Sequence, residues 1–474
     1  MLILCRIRCP HFHHRIRRLN PCSNMASCSS KTSPIIHAFV IFLLVCSSST
    51  SPVYSSEPHN LHARNRTFRP DKELQKLKFI RQRLNKINKP ATLVSKISNM
   101  FLFMSPDGDT IDCVLSHHQP AFDLPQLKGQ RPLDPPERPR VYERDGVLMT
   151  AEVEEEEEHV QLWRMSGETC PEGTIPIRRT TEQDMLRASS VRRFGRKPRR
   201  RVRRDSTSNG HEHAVGYVSG GEYYGAKGSI NVWAPHVSNP YEFSLSQLWV
   251  ISGSFAHDLN TITSKPVNEQ NQVSPELYGD NYPRFFTYWT NDAYEATGCY
   301  NLMCSGFVQT NNRIAIGAAI SPISSYHGGQ AKSIKSINAS FEIHLVNGVG
   351  SKAWELVVGI RIGDSSRILA IILFTHLRDH ATMVQFGGEI VNTRPGGSHT
   401  STVMGSGHFA GEGFGKASYF RNLEVVDWDN NLIPLPNLQV LADHPNCYDI
   451  RGGVNGVWGH YFYYGGPGRS VRCP

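Results

Sequence analysis

Long apolar runs are almost absent from this 474-residue chain. The one present, Ile35 to Cys46, is interrupted only by His37. It falls short of the roughly 20 apolar residues that a spanning helix needs, but it fits the apolar stretch of a signal peptide. Lys31 precedes it, and small and polar residues follow through Ser56. No stable membrane span is therefore expected in the mature chain. Residues 1–24 are basic and long for the leading part of a signal peptide, and Met25 would give a more ordinary start. A start-codon change at Met25 tests this. The usual catalytic signatures are missing too. There is no G-x-S-x-G elbow, no H-E-x-x-H, no P-loop and no G-x-G-x-x-G after a strand. These absences remove α/β-hydrolase, zincin and nucleotide-dependent readings. The glycines of Gly405-Ser406-Gly407-His408 are better explained as a tight turn than as the setting of a nucleophilic serine.

Basic character is also scarce outside one place. The tract Arg192 to Arg204 holds nine positive charges, and without it the formal net charge of +9 falls to zero. A local tract is not a basic domain face, so no nucleic-acid partner is expected. Cysteine is sparse, and five of the eleven residues (Cys5, Cys9, Cys22, Cys28, Cys46) precede the expected cleavage region. The remaining six form an even set, which in a secreted chain points to disulfides. The expected pairs are Cys113–Cys170, Cys299–Cys304 and Cys447–Cys473. A zinc site at Cys299 and Cys304 is disfavoured, because their spacing exceeds C-x₂-C and no histidine pair is near. No metal or other cofactor is expected. Asn65 and Asn338 open glycosylation sequons, which agrees with a secreted, extracellular location.

Four regions follow: 1–56, signal and targeting; 57–190, a small mixed α/β unit; 191–209, a basic linker; 210–474, an all-β domain. In the second, Leu74, Leu77, Ile80, Leu84 and Ile87 mark a helical stripe over Asp71 to Asn88, which Pro90 ends. Asp184 to Ala188 is a short helix. The basic linker reads either as a cleaved processing connector or as an uncleaved solvated loop. After residue 210 short alternating runs dominate, separated by turn signals such as Asn239-Pro240 and Pro395-Gly396-Gly397. This is the pattern of an antiparallel β-sandwich or barrel. Ile368 to His380 reads as the single helix of that region.

One acid stands out. Glu389 is the only charged residue in Ala381 to Val391. Alternation puts Val384, Phe386 and Ile390 on one face of a strand and Met383, Gln385, Gly387 and Glu389 on the other. Gly387 is expected to leave a notch between the Gln385 amide and the Glu389 carboxylate. A solvent-facing strand glutamate is the plain alternative.

Several strings decide between these. Phe286-Thr287-Tyr288-Trp289-Thr290, Thr297-Gly298-Cys299-Tyr300-Asn301-Leu302-Met303-Cys304-Ser305-Gly306-Phe307, Phe386-Gly387-Gly388-Glu389, Met404-Gly405-Ser406-Gly407-His408-Phe409 and Tyr464-Gly465-Gly466-Pro467-Gly468 closely resemble the neprosin family of plant secreted proteins. Asp107-Gly108-Asp109-Thr110-Ile111-Asp112-Cys113 and His117-His118-Gln119-Pro120-Ala121-Phe122 resemble that family's activation peptide. The resemblance implies a β-sandwich glutamic endopeptidase made as a zymogen, cutting after proline in acid. Its partners would be protein or peptide substrates and its own pro-segment, and it would act as a monomer. By the same resemblance Glu389 is the second catalytic glutamate. The first does not carry over. The family's Ile-Glu-Ala-Gly-Trp-Gln-Val is replaced here, after Ile262, by Thr263-Ser264-Lys265-Pro266-Val267-Asn268-Glu269-Gln270-Asn271-Gln272. Residues 91–104 and 357–370 depart as abruptly, as mis-joined coding segments or genuine divergence would. Glu269 is one residue out of register, which on a strand turns a side chain to the opposite face. The resemblance therefore leaves two readings: a glutamic endopeptidase weakened by the missing glutamate, or a non-catalytic secreted or wall-associated β-sandwich binding protein.

Overall fold

The computed structural model describes residues 70–91, 102–125, 127–132, 139–141, 161–197, 210–255, 258–264, 274–326, 338–346, 354–361, 366–372, 374–377, 379–394 and 397–474. The first elements are α1 (Pro70–Ile87), β1 (Leu102–Met104), β2 (Thr110–Leu115), β3 (Arg140–Val141), β4 (Thr174–Arg178) and α2 (Glu182–Arg187). Then come β5 (His211–Tyr223), β6 (Gly225–Asn231), β7 (Ser244–Ser252), β8 (Asn260–Ser264), the one-turn α3 (Pro275–Tyr278) and β9 (Thr287–Thr290). They are followed by β10 (Val308–Gln309), β11 (Asn338–Val346), β12 (Trp354–Arg361), β13 (Ser366–Ile372) and β14 (Ala381–Val391). The chain closes with β15 (Ser418–Val426), β16 (Asn431–Pro434), β17 (Gln439–Ala442), β18 (Asp449–Asn455) and β19 (Gly459–Gly465).

Two large sheets face one another. One has six antiparallel strands in the order β17-β5-β14-β7-β8-β9. The other runs β10-β13-β12-β11-β6-β15-β16-β3, with β19 paired to β15 and β18. Only the β16–β3 pairing in it is parallel. The alternation expected around Glu389 sets the packing. Val384, Phe386 and Ile390 of β14 are fully buried against Ala226 and Ile230 of β6, Phe420 and Leu423 of β15, and Phe462 and Tyr464 of β19. Phe386 meets Phe420 edge to face at 6.1 Å, and Phe420 stacks on Phe462 at 5.2 Å. Truncating one of these rings to alanine would cost about 3–5 kcal/mol. The chain is thus an antiparallel β-sandwich preceded by a small mixed α/β region.

The preceding region packs on the opposite face of the six-stranded sheet. Ile80 of α1, Met185 of α2 and Phe194 share a core with Val215, Leu245, Trp249 and Ile251. α1 begins with Pro70, carries Asp71 and Glu73 in its first turn and Lys86 in its last, as the helix dipole favours. Of its stripe, Ile80 and Ile87 are buried and Leu74 is exposed. α2 has a capping box: the Asp184 N–H donates to Thr181 Oγ1 (3.1 Å) and the Thr181 N–H to Asp184 Oδ2 (2.8 Å). β1, β2 and β4 form a small antiparallel sheet.

The sequence strings of this region turn out to be its docking contacts. Arg284, fully buried, reaches Asp107 at 3.0 Å and also pairs with Asp109 and Asp280. Gln119 is fully buried and accepts the Gln309 N–H (2.7 Å) while donating to the Gln309 carbonyl (2.9 Å). Disulfides join Cys113 to Cys170, Cys299 to Cys304 and Cys447 to Cys473. Asn65 lies outside the described residues, and Asn338 opens β11.

Two expectations fail. Residues 368–372 of the stretch read as a helix belong to strand β13, paired with β12 and β10. The run Ile-Leu-Ala-Ile-Ile has no period of its own, so β-branched content and sheet partners decide its form. Arg313 to Ile320, one of the alternating runs that read as strands, is irregular, with isolated bridges from Ile316, Ala319 and Ile320.

Candidate active site

Glu389 sits near the end of β14 and pairs in register with His213 of β5 and Leu245 of β7. Directly opposed residues in antiparallel strands share a face, so His213, Gln247 and Trp249 come to the side of the sheet that bears Glu389. The carboxylate is sealed, only 1% exposed. A charge buried this far must be paired. Lys197 Nζ donates to Oε1 at 2.9 Å, His211 Nδ1 lies 2.5 Å from the same oxygen, and Gln247 Nε2 donates to Oε2 at 3.0 Å. His213 Nε2 stands 3.8 Å from Oε1. His213 Nδ1 is itself 2.9 Å from Asp443 Oδ2.

These contacts fix the electrostatics. Burial alone would raise the Glu389 carboxyl, but the Lys197 ammonium, then the His211 hydrogen bond and the His211 and His213 charges, hold it well below its usual range. Lys197 is correspondingly raised: desolvation opposes its charge, and Glu389 more than compensates. Burial, then the Lys197 charge, pushes His211 down despite its bond to Glu389. His211 Nδ1 thus helps to hold the carboxylate in place through Oε1. Tyr288, above Lys197, is pushed up to about 12 by burial.

Lys197 comes from the basic tract, and the front of that tract is docked. Val191–Arg193 forms a 3₁₀ turn, Phe194 is buried, and the Gly195 carbonyl accepts the Tyr300 N–H at 2.8 Å. Gly195 has φ +79°, and a Cβ there would strike Met303 Sδ at 2.8 Å, so only glycine passes. Arg83 of α1 donates to the carbonyls of Val191, Arg192 and Phe194 at 2.6–2.7 Å. Lys197 Nζ lies 4.7 Å from the centre of the Tyr294 ring. The segment preceding β5 thus delivers one ammonium group onto one buried carboxylate.

The expected notch at Gly387 is not open. A Cβ there would strike the Ala214 carbonyl at 2.3 Å and Val215 Cα at 2.7 Å, so this glycine permits close approach of β5 instead. The amide that meets Glu389 is Gln247, opposite Gly387 in register, whereas Gln385 turns to Met383 Sδ at 3.1 Å. β8 ends at Ser264, paired with Leu248; the next position would oppose Gln247. That position, Glu269 and the rest of 265–273 lie outside the described residues. Sequence reasoning found Glu389 but not Lys197, His211, His213, Gln247 or Asp443. The spacing of His211 and His213 about Glu212 is a signal that could have placed both on one strand face, but nothing in it names a partner.

The fold is thus a β-sandwich whose preceding segment places an ammonium group on a buried carboxylate. The chain belongs to the neprosin family: the neprosin model matches residues 240–467 and the neprosin activation peptide model residues 102–217. Among solved structures, two of scytalido-glutamic peptidase with transition state analogues overlap it at 11% identity, covering 54% of this chain and 98% of theirs, with a TM-score of 0.27. SCP-B, an eqolisin-family peptidase in complex with the tripeptide Ala-Ile-His, overlaps at 11% identity over the same shares, with a TM-score of 0.23. Overlaps this partial do not bear on the chemistry.

Proposed function

We propose that this chain is a secreted zymogen of a glutamic-type endopeptidase, with Glu389 the catalytic carboxylate and the segment through Lys197 its mask. The observation that carries the reading is the ion pair itself. A charged side chain of the preceding segment caps the buried acid on that sheet face, and the two family models span both residues. The region through residue 190 is the pro-domain, the tract 191–209 the connector whose cleavage frees the site, and 210–474 the catalytic body. The three disulfides fit an oxidising, extracellular setting. Among the described residues no helix is long and apolar enough to cross a membrane. The substrate class is peptides cut after proline in acid, and the enzyme acts as a monomer.

The missing first glutamate limits the rate. Peptide hydrolysis needs one group to activate water and another to protonate the amine, and Glu389 supplies one. The test is hydrolysis of proline-containing peptides by the full chain after cleavage within 198–209, with Glu389→Gln beside it. Weak activity that Glu389→Gln abolishes supports the reading. Replacing 263–272 by the Glu-Ala-Gly-Trp sequence should then raise the rate. Absence of hydrolysis in every form, together with retained binding of a wall component, favours the non-catalytic reading, which the altered 263–272 segment motivates.

A further inference from the structure

We propose that His213, held by Asp443, is the second proton-transferring group of this site and works opposite Glu389 in place of the missing glutamate. The inference rests on the peptidase reading above and assigns its second catalytic residue. Three observations carry it. The first is position: His213 and Glu389 are direct cross-strand partners on β5 and β14, with Nε2 and Oε1 3.8 Å apart. The second is orientation. Asp443 Oδ2 lies 2.9 Å from His213 Nδ1 and accepts the His213 backbone N–H, also at 2.9 Å, while the Asp443 N–H donates to the His213 carbonyl at 3.0 Å. The clamp places Nδ1–H on the carboxylate and leaves Nε2 toward Glu389. The third is access. The His213 side chain is 34% exposed while Glu389 is 1% exposed, so the imidazole stands at the mouth of the site. A peptide displacing Lys197 from Glu389 would pass it.

The other neighbours of Glu389 are placed for different work. His211 is buried, lies edge to face with Phe243 at 5.7 Å, and is already bonded to Oε1. Gln247 holds Oε2 and cannot titrate. Both are positioning residues.

The chemistry balances as follows. Glu389, as carboxylate, takes a proton from water as the water oxygen bonds to the scissile carbonyl carbon. His213, as imidazolium, gives its Nε2 proton to the amide nitrogen as the C–N bond breaks. Transfer of the proton from Glu389 to His213 restores both groups, and the sum is peptide plus water to acid plus amine. This pair needs the carboxyl ionised and the imidazole protonated, so the rate should fall on both sides of an optimum. The charged groups facing the imidazole are Asp443, Glu389, His211 on its own strand and, before processing, Lys197; His444 adjoins Asp443.

The experiment uses the full chain cleaved within 198–209 and follows a fluorogenic proline-containing peptide from pH 3 to 8. Expected is a bell-shaped profile. His213→Gln should lower kcat by roughly 10²–10⁴-fold with little change in KM and erase the alkaline limb. Asp443→Asn should lower kcat less, because it loosens the clamp that orients the imidazole. Added imidazole should partly restore a His213→Gly variant, a rescue that a merely structural role would not give. An unchanged rate and limb in His213→Gln, with Glu389→Gln still inactive, overturns the assignment and leaves the peptidase reading standing. Indifference of the rate to Glu389→Gln, or no hydrolysis by the cleaved chain, overturns both.

Discussion

Lys197→Met tests the mask most directly. Methionine keeps the aliphatic stem over Tyr294 and removes the charge. At 2.9 Å the pair attracts by about 6 kcal/mol at an effective dielectric of about 20, before desolvation is counted. Both groups are well buried, with side-chain exposures of 17% and 1%. Removing one partner of such a pair costs about 3–5 kcal/mol, because the other is left as an uncompensated buried charge. His211 and Gln247 still hold the carboxylate, so the lower end applies. Undocking the segment from residue 191 to 197 relieves the whole penalty by admitting water. Its opening equilibrium should therefore rise by about 10²-fold, since about 1.4 kcal/mol is a factor of ten. The reporter is built in. The Tyr300 N–H, bonded to the Gly195 carbonyl, should exchange with deuterium about 10²-fold faster, and trypsin should nick the tract correspondingly sooner. Exchange at Tyr300 and nicking at the wild-type rate, in a variant whose core amides are equally protected, would show that the ion pair does not hold the segment.

Docking should also depend on pH. Glu389 is held below its ordinary value, so its contribution is complete above about pH 4.5 and drains away only as pH falls through the depressed value; Tyr300 exchange measured from pH 7 to pH 2 should stay slow until well below 4.5. His399 has the opposite sign. Burial lowers it, but its bond to Glu212 prevails and raises it, so its stabilisation is complete below about pH 6.5 and lost as pH rises through the raised value. His399→Gln should accordingly flatten the alkaline part of the melting-temperature profile. On the chain-entropy model, opening Cys113–Cys170, separated by 57 residues, should cost about 4 kcal/mol, and Cys447–Cys473, separated by 26, about 3.5 kcal/mol. Urea unfolding of Cys-to-Ser pairs checks both, and equal losses to the five-residue Cys299–Cys304 loop would contradict the ordering.

The β-sandwich was legible because its strands bury one face and solvate or dock the other, so Val384, Phe386 and Ile390 declare their side by alternation alone. β13 was not legible, since a continuous apolar run satisfies helix and strand equally. Glu389 could be singled out because an isolated charge in an apolar strand needs an explanation. Its partners could not. Lys197, His211 and Gln247 lie 192, 178 and 142 residues away in the chain, and only the strand register and the path of the pro-segment bring them together. Lys197 in particular looked like one of nine equivalent charges in a solvated tract; what distinguishes it is Gly195, whose left-handed turn lets the chain dive past Met303.

Arg284 has a consequence in time. It is a residue of the all-β domain, yet two of its three carboxylates, Asp107 and Asp109, belong to the part that the proposed processing would remove. While the precursor is whole, the guanidinium is neutralised from both sides in a dry interior. On that proposal, release would leave Arg284 with Asp280 alone, and the arginine would then take up water or rearrange. The whole chain is the form in which three carboxylates close around this guanidinium. An all-β domain made without the preceding region would meet a cation with one of its three carboxylates during folding rather than after it. The preceding region would then act as a scaffold for folding as well as a cover.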